Sequence, residues 1–495
     1  MSERLDKKIG ISLSTGKTIA LIIAVFFLFF GRLITIPGLP VTGTCVLFIL
    51  VGSIILWLTI GVNWTSLIIL MALMMVPDLG GYKWVTQNSF GNDTAILMLL
   101  CFMLAACLTK SGFARRLAIM LLTNKFSRKS PWNTVLMFMS ACLLLGWFLP
   151  SSGSILVTLP ILDAMLDECG KTKEEHPDVG VMMSLGAIIG GQLGNGSTPI
   201  SHAVTIQGIG LFASYVEGSE IEFFTLMGIL MPVAVVCLLA SWLIFRYLWH
   251  PDVSCLKEVN FDALEATVAP MDSREKWSAI VYGIAIFVWM LPGLSKVLFP
   301  SLNPIFSKLN NLYAPIVALI VLQLVTLEDG KPVLTYKEAL GNVNWNTVVF
   351  IACIMCVGAG VSNSASGIKD WLTVVMSPIF GGISPAVFTL IIIAVGILLT
   401  NFISNAVAVA IMMAIAVPLA LGVYEGQINV FLISIFAINA VQHSWATPPA
   451  TPSSAVAASY GWLDTGNMFK WGIIVAIADI FVVWGVGTLM GSIIL

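Results

Sequence analysis

Apolar runs near the length of a transmembrane helix recur from residue 18 to residue 493, and this pattern constrains the fold more than any motif does. A helix needs about 20 such residues to cross the hydrocarbon core of a bilayer. Because 58% of the 495 residues are hydrophobic and only 10% are charged, the chain has too little charge to cover a soluble protein. We therefore predict an all-α polytopic membrane protein. The first run, Thr18–Ile36, lacks a small-residue cleavage site and is expected to remain as a helix.

The positions of lysine and arginine predict the orientation, because short cytoplasmic loops are enriched in both. We predict a multi-pass protein of the cell (inner) membrane with a cytoplasmic N-terminus and the C-terminus outside. In that orientation, 19 of the 24 lysines and arginines lie on the cytoplasmic side. The sequence has no basic face and no low-complexity tail, so no nucleic-acid partner is expected. The eleven predicted crossings are near 18–36, 41–60, 64–77, 94–109, 180–214, 223–249, 277–299, 312–327, 347–361, 429–460 and 471–493.

Polar patches inside apolar sequence predict two re-entrant hairpins. Residues 398–406 separate the runs 386–397 and 407–421, neither of which is comfortably long enough to cross a bilayer. Lipid cannot satisfy the backbone groups of such a patch, so protein or a water-filled cavity must surround it. The other predicted interruptions are a hairpin with arms 132–149 and 155–166 and tip 150–154, and two broken helices, 180–214 with a break at 190–199 and 429–460 with a break at 446–452.

The order of elements in 92–215 recurs in 344–460: an Asn-led helix, a Ser-Gly pair, a hairpin and a helix broken at Thr-Pro. An odd number of crossings separates the two units, so the second is predicted to be inverted. Inverted repeats with broken helices are typical of secondary transporters, whose binding site forms near the midplane. The predicted domains are N-terminal scaffold helices (1–91), the first repeat (92–222, with hairpin 132–166 and broken helix 180–214), further scaffold helices (223–343), the second repeat (344–460, with hairpin 386–421 and broken helix 429–460) and a C-terminal helix (461–495).

The hairpin tips and the Thr-Pro breaks supply the candidate binding residues. A tip presents free N–H groups at a helix N-terminus, which suit a carboxylate, and unwound carbonyls suit Na⁺. Such residues also pack or kink helices, so the prediction depends on the whole set. The predicted substrate-binding residues are Ser151, Ser152, Ser154, Thr198, Pro199, Ser404, Asn405, Thr447 and Pro448. The predicted cation-binding residues are Ser151, Gly153, Gly194, Asn195, Gly196, Thr400, Asn401, Ser404, Asn405 and Ala446.

Neither tip and neither break contains Lys, Arg, Asp or Glu. A fixed charge is costly inside a bilayer, and none is present here to balance a bound dicarboxylate. Helix dipoles and bound cations must then balance its two negative charges, so cation coupling is expected. Asp479 is the one carboxylate deep in a predicted helix, where a proton relay and burial at a helix interface are both open. Asp163 is expected near the cytoplasmic mouth. His202 and His443 are expected to be hydrogen-bonded interior histidines.

This constellation resembles the divalent anion/sodium symporter family, the di- and tricarboxylate carriers of the ion transporter superfamily. The resemblance rests on the inverted repeat, on Ser404-Asn405 followed by small residues, and on the two Thr-Pro breaks. It implies that Ser404 and Asn405 contact substrate and sodium and that Thr447 and Pro448 close the second site. It also implies a homodimer with a scaffold domain and an elevator-type transport domain. The function expected is cation-coupled, sodium-driven transport of small di- or tricarboxylates by alternating access.

The sequence departs from the family pattern of Ser-Asn-Thr at both tips. The second tip has Ala406 in place of Thr, and the first tip, 150–154, has no Asn. The identity of the anion, Na⁺ or H⁺ coupling and symport or exchange therefore stay open, with a sulfate-like oxyanion transporter or an anion exchanger as the alternative.

Enzymatic and redox functions are not expected from this sequence. A hydrolase built on Ser197, Ser201 and His202 would need an acid that does not accompany them, and neighbouring residues point to different helix faces. Cys353 and Cys356 form a CxxC inside an apolar run, with no second Cys or His cluster nearby, which indicates packing. The chain is therefore predicted to be no enzyme and to use no cofactor apart from Na⁺ as the coupling ion.

Overall fold

The computed structural model describes residues 13–175, 177–200 and 202–495, apart from the side chain of Pro77. The first twelve residues, with the basic group of the predicted cytoplasmic N-terminus, and Ser201 lie outside the described residues. Within the described part the fold is all-helical, and extended pairing is confined to an isolated antiparallel bridge between Thr326 and Pro332.

The helices follow one another along the whole described chain. The first group is α1 (Thr15–Phe30), α2 (Val41–Thr59), α3 (Thr65–Met74), α4 (Gly81–Asn88), α5 (Asp93–Ser111), α6 (Phe113–Leu122), α7 (Pro131–Phe148), α8 (Ser151–Glu168), α9 (Asp178–Gly196), α10 (Ala203–Tyr215), α11 (Phe223–Leu243) and α12 (Phe261–Ala266). The second group is α13 (Ser273–Leu298), α14 (Asn303–Phe306), α15 (Tyr313–Leu324), α16 (Tyr336–Gly341), α17 (Trp345–Ser362), α18 (Ile368–Phe380), α19 (Pro385–Thr400), α20 (Asn405–Leu421), α21 (Val430–Ala440), α22 (Pro452–Ser459) and α23 (Thr465–Ile494).

Eight of the described helices are long and apolar enough to cross a membrane, or nine if the bent pair α18 and α19 forms one span. Their outer faces carry exposed large apolar side chains, such as Ile22 in α1, Ile284 in α13 and Phe481 in α23. Water would penalise such faces, whereas lipid does not. The structure therefore agrees with the prediction of an all-helical, multi-pass membrane protein.

The same six-helix order occurs twice, in α5–α10 and in α17–α22, and local sequence explains each element. Asn92 caps α5 and Asn344 caps α17, each accepting a hydrogen bond from a backbone N–H of the first turn. Gly112 and Gly367, both with positive φ, then turn the chain into the amphipathic helices α6 and α18. The next helix of each set, α7 or α19, begins with a capping serine followed by proline.

The packing of the two helix sets is also alike. Helix α8 packs against α22, and its counterpart α20 packs against α10, so each hairpin contacts the second half of the other set's broken helix. Helix α11 packs against α7 and α9, whereas α23 packs against α19 and α21, and α11 and α23 contact each other. Helices α5 and α17 instead pack against each other and variously against α2, α3, α13 and α15. All tips and breaks thus belong to α7–α10 and α19–α22, and this set also meets α17 through α10.

Several predicted boundaries differ from the structure. Residues 151–154, predicted as the first tip, form the first turn of α8, because the Gly153 and Ser154 N–H groups donate to the Pro150 carbonyl at 2.8 and 3.1 Å. The first broken helix stays helical to Gly196, where α9 ends, and resumes at Ala203, so its interruption comes later than predicted; the second interruption starts earlier, at 441. Helices α4 and α18 lie outside the predicted crossings and hairpins, because their apolar positions form only one helical face.

Candidate functional site

The second hairpin tip is fixed to the second break by Asn401. Its amide nitrogen donates to the carbonyl of Ile397 at 2.7 Å and to that of His443 at 2.8 Å, and its Oδ1 accepts from the Ala446 N–H at 2.8 Å. The Thr447 hydroxyl donates to the Asn401 carbonyl. Asn401 is fully buried, so this bond set joins the tip to the break. Asn401 is predicted to bind a cation; if it did so through Oδ1, the cation would share that oxygen with the Ala446 N–H.

Thr400 and Asn405 complete the connection at this tip. The Thr400 hydroxyl lies 2.7 Å from the Val441 carbonyl and 2.8 Å from Asn405 Oδ1. The Asn405 amide nitrogen is buried and has no partner among the described residues. Ser404 is exposed and Thr447 and Pro448 are half-buried, so these three predicted substrate residues line the accessible side of the tip.

The first hairpin meets the first break in a matching way. Trp147, just before the tip, donates its indole N–H to the Ser197 hydroxyl at 3.0 Å. The Thr198 hydroxyl donates to the Trp147 carbonyl at 3.3 Å, as Thr447 does to the carbonyl of the second tip. Ser152 and Gly153 are half-buried, whereas the other residues predicted for this site, Ser151, Ser154, Gly194, Asn195, Gly196, Thr198 and Pro199, are buried.

Glycines allow this hairpin to approach the broken helix closely. A Cβ atom on Gly194 would lie 2.1 Å from the Leu143 carbonyl oxygen, and one on Gly146 would lie 2.4 Å from the Gly191 carbonyl oxygen. Such contacts are impossible, so α7 and α9 touch backbone to backbone. Gly194 and Gly196 therefore lie inside α9 rather than in an unwound break, and the close packing offsets the low helix propensity of glycine.

Three glutamines, which the sequence analysis did not select, connect the two sets. The amide nitrogen of Gln192 donates to the hydroxyls of Thr451 and Ser453, at 2.8 and 2.9 Å. That of Gln442 donates to the Thr205 hydroxyl at 3.3 Å. The Gln207 amide nitrogen donates to a main-chain carbonyl of the second tip, that of Ala406, at 2.8 Å. A glutamine inside an apolar helix is the sequence signal that could have identified them.

Several buried polar atoms without a partner in the described structure belong to the broken helices and the second tip. Among the described residues, four such amide oxygens belong to the broken helices, and one such amide nitrogen belongs to the second tip. Leaving a buried polar group unpaired costs about 1–3 kcal/mol, so a ligand that pairs with it is stabilised. The oxygens can bind a hard cation, and the nitrogen can donate to an anion. They are Gln192 Oε1, Asn195 Oδ1, Gln207 Oε1, Gln442 Oε1 and Asn405 Nδ2.

Asp163, His202, His443 and Asp479 differ in their surroundings. Asp163 accepts from Tyr460 at 2.7 Å and from Trp462 at 2.6 Å, and pairs with Lys173 at 3.1 Å. His202 is half-buried, and its Nδ1 has no partner within the described part of the chain. His443 and Asp479 form a buried pair, with His443 Nδ1 at 3.1 Å from Asp479 Oδ2.

Comparison with known proteins gives the family. A profile described as citrate transporter, CitMHS, matches residues 46–441, which is most of the chain. The chain belongs to the CitMHS citrate transporter family. It is therefore a membrane transporter and not an enzyme, and the predicted membership of the ion transporter superfamily is confirmed.

Relatives extend over nearly the whole length. The chain is 24% identical over 493 residues to the sodium-dependent dicarboxylate transporter SdcS of Staphylococcus saprophyticus, covering 97% of this chain and 92% of the relative. It is 23% identical over 497 residues to SdcS of Staphylococcus aureus, covering 95% and 91%. The crystal structure of the Alcanivorax borkumensis YdaH transporter, whose title reports an unusual topology, has a TM-score of 0.57 at 12% identity, with 84% of this chain and 89% of that chain covered. That likeness concerns the fold alone.

Proposed function

We propose that the chain is a sodium-coupled secondary active transporter of small di- or tricarboxylate anions that works by alternating access. One observation carries the proposal: an uncharged region combines a free buried amide donor with four free buried amide oxygens. Donors suit a carboxylate and oxygens suit Na⁺, so the region is suited to both ions at once. The names of the Staphylococcus relatives support the same pairing.

The anion would lie between the two tips. The second arms of the hairpins, α8 and α20, begin at Ser151 and Asn405 without a side-chain cap, so their first N–H groups remain available. A helix N-terminus carries roughly half a positive charge, which favours an anion without a fixed cation. Ser152 and Ser404 are accessible hydroxyl donors, and Asn405 adds its free N–H. The Thr447 hydroxyl donates to the Asn401 carbonyl, so Thr447 would position the second tip beside the anion. Ser154, Thr198, Pro199 and Pro448 would shape the same site.

Sodium would bind deeper, at the amide and main-chain oxygens of the broken helices. Gln192 Oε1 and Asn195 Oδ1 lie on α9 near the first tip, and Gln442 Oε1 lies in the second break. The other residues proposed to contribute oxygens through side chain or main chain are Ser151, Gly153, Gly194, Gly196, Thr400, Asn401, Ser404, Asn405 and Ala446. Each bound Na⁺ would offset one carboxylate charge, which explains why anion and cation would bind together.

The conformational part of the proposal is an inverted repeat that moves against a scaffold. The recurring helix order and matched packing of α5–α10 and α17–α22 support the repeat. The helices α5 and α17, with α2, α3, α13 and α15 packed on them, would be the scaffold. The predicted boundaries place 223–343 in the scaffold, but the packing of α11 on α7, α9 and α23 favours its inclusion with the moving group. The eleven crossings, the cytoplasmic N-terminus, the cell membrane and the homodimer follow from the sequence pattern and the family resemblance.

Uptake into proteoliposomes tests the function. Purified protein is reconstituted, and radiolabelled succinate, citrate, tartrate and sulfate are supplied with an inward Na⁺ gradient, with K⁺ in place of Na⁺, or with an inward H⁺ gradient. We expect Na⁺-dependent accumulation of one of the carboxylates, absent from protein-free liposomes. Preferential accumulation of sulfate would support the oxyanion alternative. Equal uptake with Na⁺ and K⁺, or uptake only against internal anion, would refute sodium symport.

A further inference from the structure

A second group of polar side chains lies outside the proposed transport site. It contains Cys237 of α11, His443 of the second break and Asp479 of α23, all fully buried. One potential ligand atom from each lies within 4.8 Å of the other two. The three residues belong to separate segments of the chain and meet because α23 packs against both α11 and α21. Among the described residues, this is the group of His, Cys and acidic side chains whose arrangement suits a shared ion.

The orientation of the histidine ring is informative. His443 Nε2 lies 3.2 Å from Asn439 Oδ1, an acceptor, so in this orientation of the amide Nε2 carries the hydrogen. In the neutral ring, the Nδ1 lone pair then faces Asp479 Oδ2 at 3.1 Å, which is also an acceptor. Two acceptors at this distance need a shared proton or a shared metal ion, and a metal ion would also use the nearby Cys237 thiol. The second carboxylate oxygen, Asp479 Oδ1, has no hydrogen-bond partner in the described chain.

We propose that Cys237, His443 and Asp479 bind one divalent transition-metal ion of the Zn²⁺ type. Thiolate, imidazole and carboxylate are the ligands that zinc uses, at roughly 2.0–2.3 Å each. Ligand atoms in such a tetrahedral site are about 3.3–3.7 Å apart. Here they lie within 4.8 Å of one another, with His443 Nδ1 and Asp479 Oδ2 at 3.1 Å, so the side chains would draw together around the ion. The free Asp479 Oδ1 or a water molecule would be the fourth ligand. A thiolate and a carboxylate together neutralise the ion. A histidine ligand usually donates its other N–H to an oxygen, and Asn439 supplies that oxygen here.

The ion would have a structural role, because its ligands join α11, α23 and the second break. The His443 carbonyl also accepts the hydrogen bond from Asn401, so the same residue would connect the metal to the second hairpin tip. The metal would thereby hold the break in place beside that tip. The inference does not depend on which anion or coupling ion is transported.

Cobalt binding to the detergent-purified full chain tests the proposal. Co²⁺ is titrated into protein freed of metal, and absorption is recorded in the near ultraviolet, where thiolate-to-cobalt charge transfer occurs, and in the visible region. We expect one Co²⁺ per chain with a charge-transfer band, and a raised thermal unfolding midpoint. Cys237→Ser should abolish that band, and Asp479→Asn should weaken binding at least tenfold. Zinc content of protein purified without chelator should be near one per chain and should fall in Cys237→Ser.

Cys353→Ser is the matched control, because Cys353 is equally buried, lies in the CxxC of α17 and is outside the triad. It should keep the cobalt spectrum. The proposal is overturned if the unaltered protein binds no Co²⁺ or Zn²⁺, if Cys237→Ser binds as well as the unaltered chain, or if the band is lost only in Cys353→Ser. Should Asp479→Asn fail to fold, Cys237→Ser still decides the question, because serine nearly preserves the volume of the thiol. The two proposals can fail separately. Dicarboxylate uptake without metal binding would refute only the metal site, and metal binding with uptake of another anion would refute only the proposed substrate.

Discussion

Replacing Asn405 by alanine should weaken binding of the transported anion while leaving the fold almost unchanged. The side chain is 4% exposed, and its amide nitrogen has no partner in the described structure. A hydrogen bond to a charged group contributes about 1.5–3 kcal/mol. Since 1.4 kcal/mol corresponds to a factor of ten, KM for the anion should rise about 10- to 150-fold.

The stability change should be small, because the two effects of this substitution oppose each other. Asn405 Oδ1 accepts from Thr400, and that hydroxyl retains the Val441 carbonyl at 2.7 Å when the amide is lost. Removal of a buried, unpaired donor offsets part of the loss. We therefore expect a free energy of unfolding within about 1 kcal/mol of the unaltered protein. Asn405→Asp, with nearly the same shape, should abolish uptake because its carboxylate repels the anion.

Initial uptake rates in proteoliposomes, measured against anion and against Na⁺ concentration, provide the assay. Asn342→Ala is a suitable control, because its amide donates to the Phe102 carbonyl, outside the tips and breaks. If Asn405 contacts the anion alone, KM for the anion rises and the Na⁺ concentration for half-maximal uptake at saturating anion stays constant. If it also contacts sodium, both rise. An unchanged KM for the anion in a folded Asn405→Ala protein would refute the assignment of this residue.

Three further substitutions test residues that stabilise the fold. Asn401→Ala should destabilise the protein by about 2–4 kcal/mol and abolish uptake, because buried groups of the second break lose their partners; a normal unfolding midpoint would contradict this role. Gly194→Ala should prevent stable folding, because the new Cβ would lie 2.1 Å from a main-chain oxygen of α7. Fluorescence size-exclusion chromatography measures this, with Gly153→Ala as the control that should fold, because the nearest contact of its Cβ is at 3.8 Å. Glu338→Gln should lower stability at pH 7 by about 1 kcal/mol, because it weakens the capping box with Thr335. The hydrogen bond from the Thr335 N–H and, second, the ion pair with Lys110 lower the pKa of Glu338 to about 2. The contribution of Glu338 to stability is therefore complete above the unfolded pKa of about 4.3 and disappears as the pH falls toward 2. Equal thermal midpoints of Glu338→Gln and the unaltered protein at pH 7 would contradict this prediction.

The helices, the two hairpins and the two breaks could be predicted because each follows from a local rule. Apolar length predicts a span, and a polar patch such as 398–406 predicts a tip because lipid cannot pair with it. The boundaries were less accurate where distant residues decide them. Helix α21 ends at Ala440, before the predicted break, because the side chains of Thr400 and Asn401 bind the carbonyls of Val441 and His443.

The interactions that join the two halves could not be predicted. Gln192 pairs with Thr451, 259 positions away, and Gln442 pairs with Thr205, 237 positions away. Local sequence patterns cannot predict contacts between residues so far apart in the chain. The close contact of α7 with α9 was also missed, because Gly194 suggests an unwound break as readily as a packed helix when its neighbour is unknown.

In the proposed transporter, amides in place of fixed charges would make anion binding depend on sodium. Gln192 and Gln442 each use their amide nitrogen to bind a hydroxyl on the other set's broken helix, which leaves each oxygen free in the region of the breaks. A fixed lysine would hold a carboxylate in every conformation and slow its release, because the charge cannot leave. An amide oxygen attracts Na⁺ but has little affinity for an anion by itself. The anion would therefore bind well only while sodium is present, and loss of sodium would release both, which is the condition that symport requires.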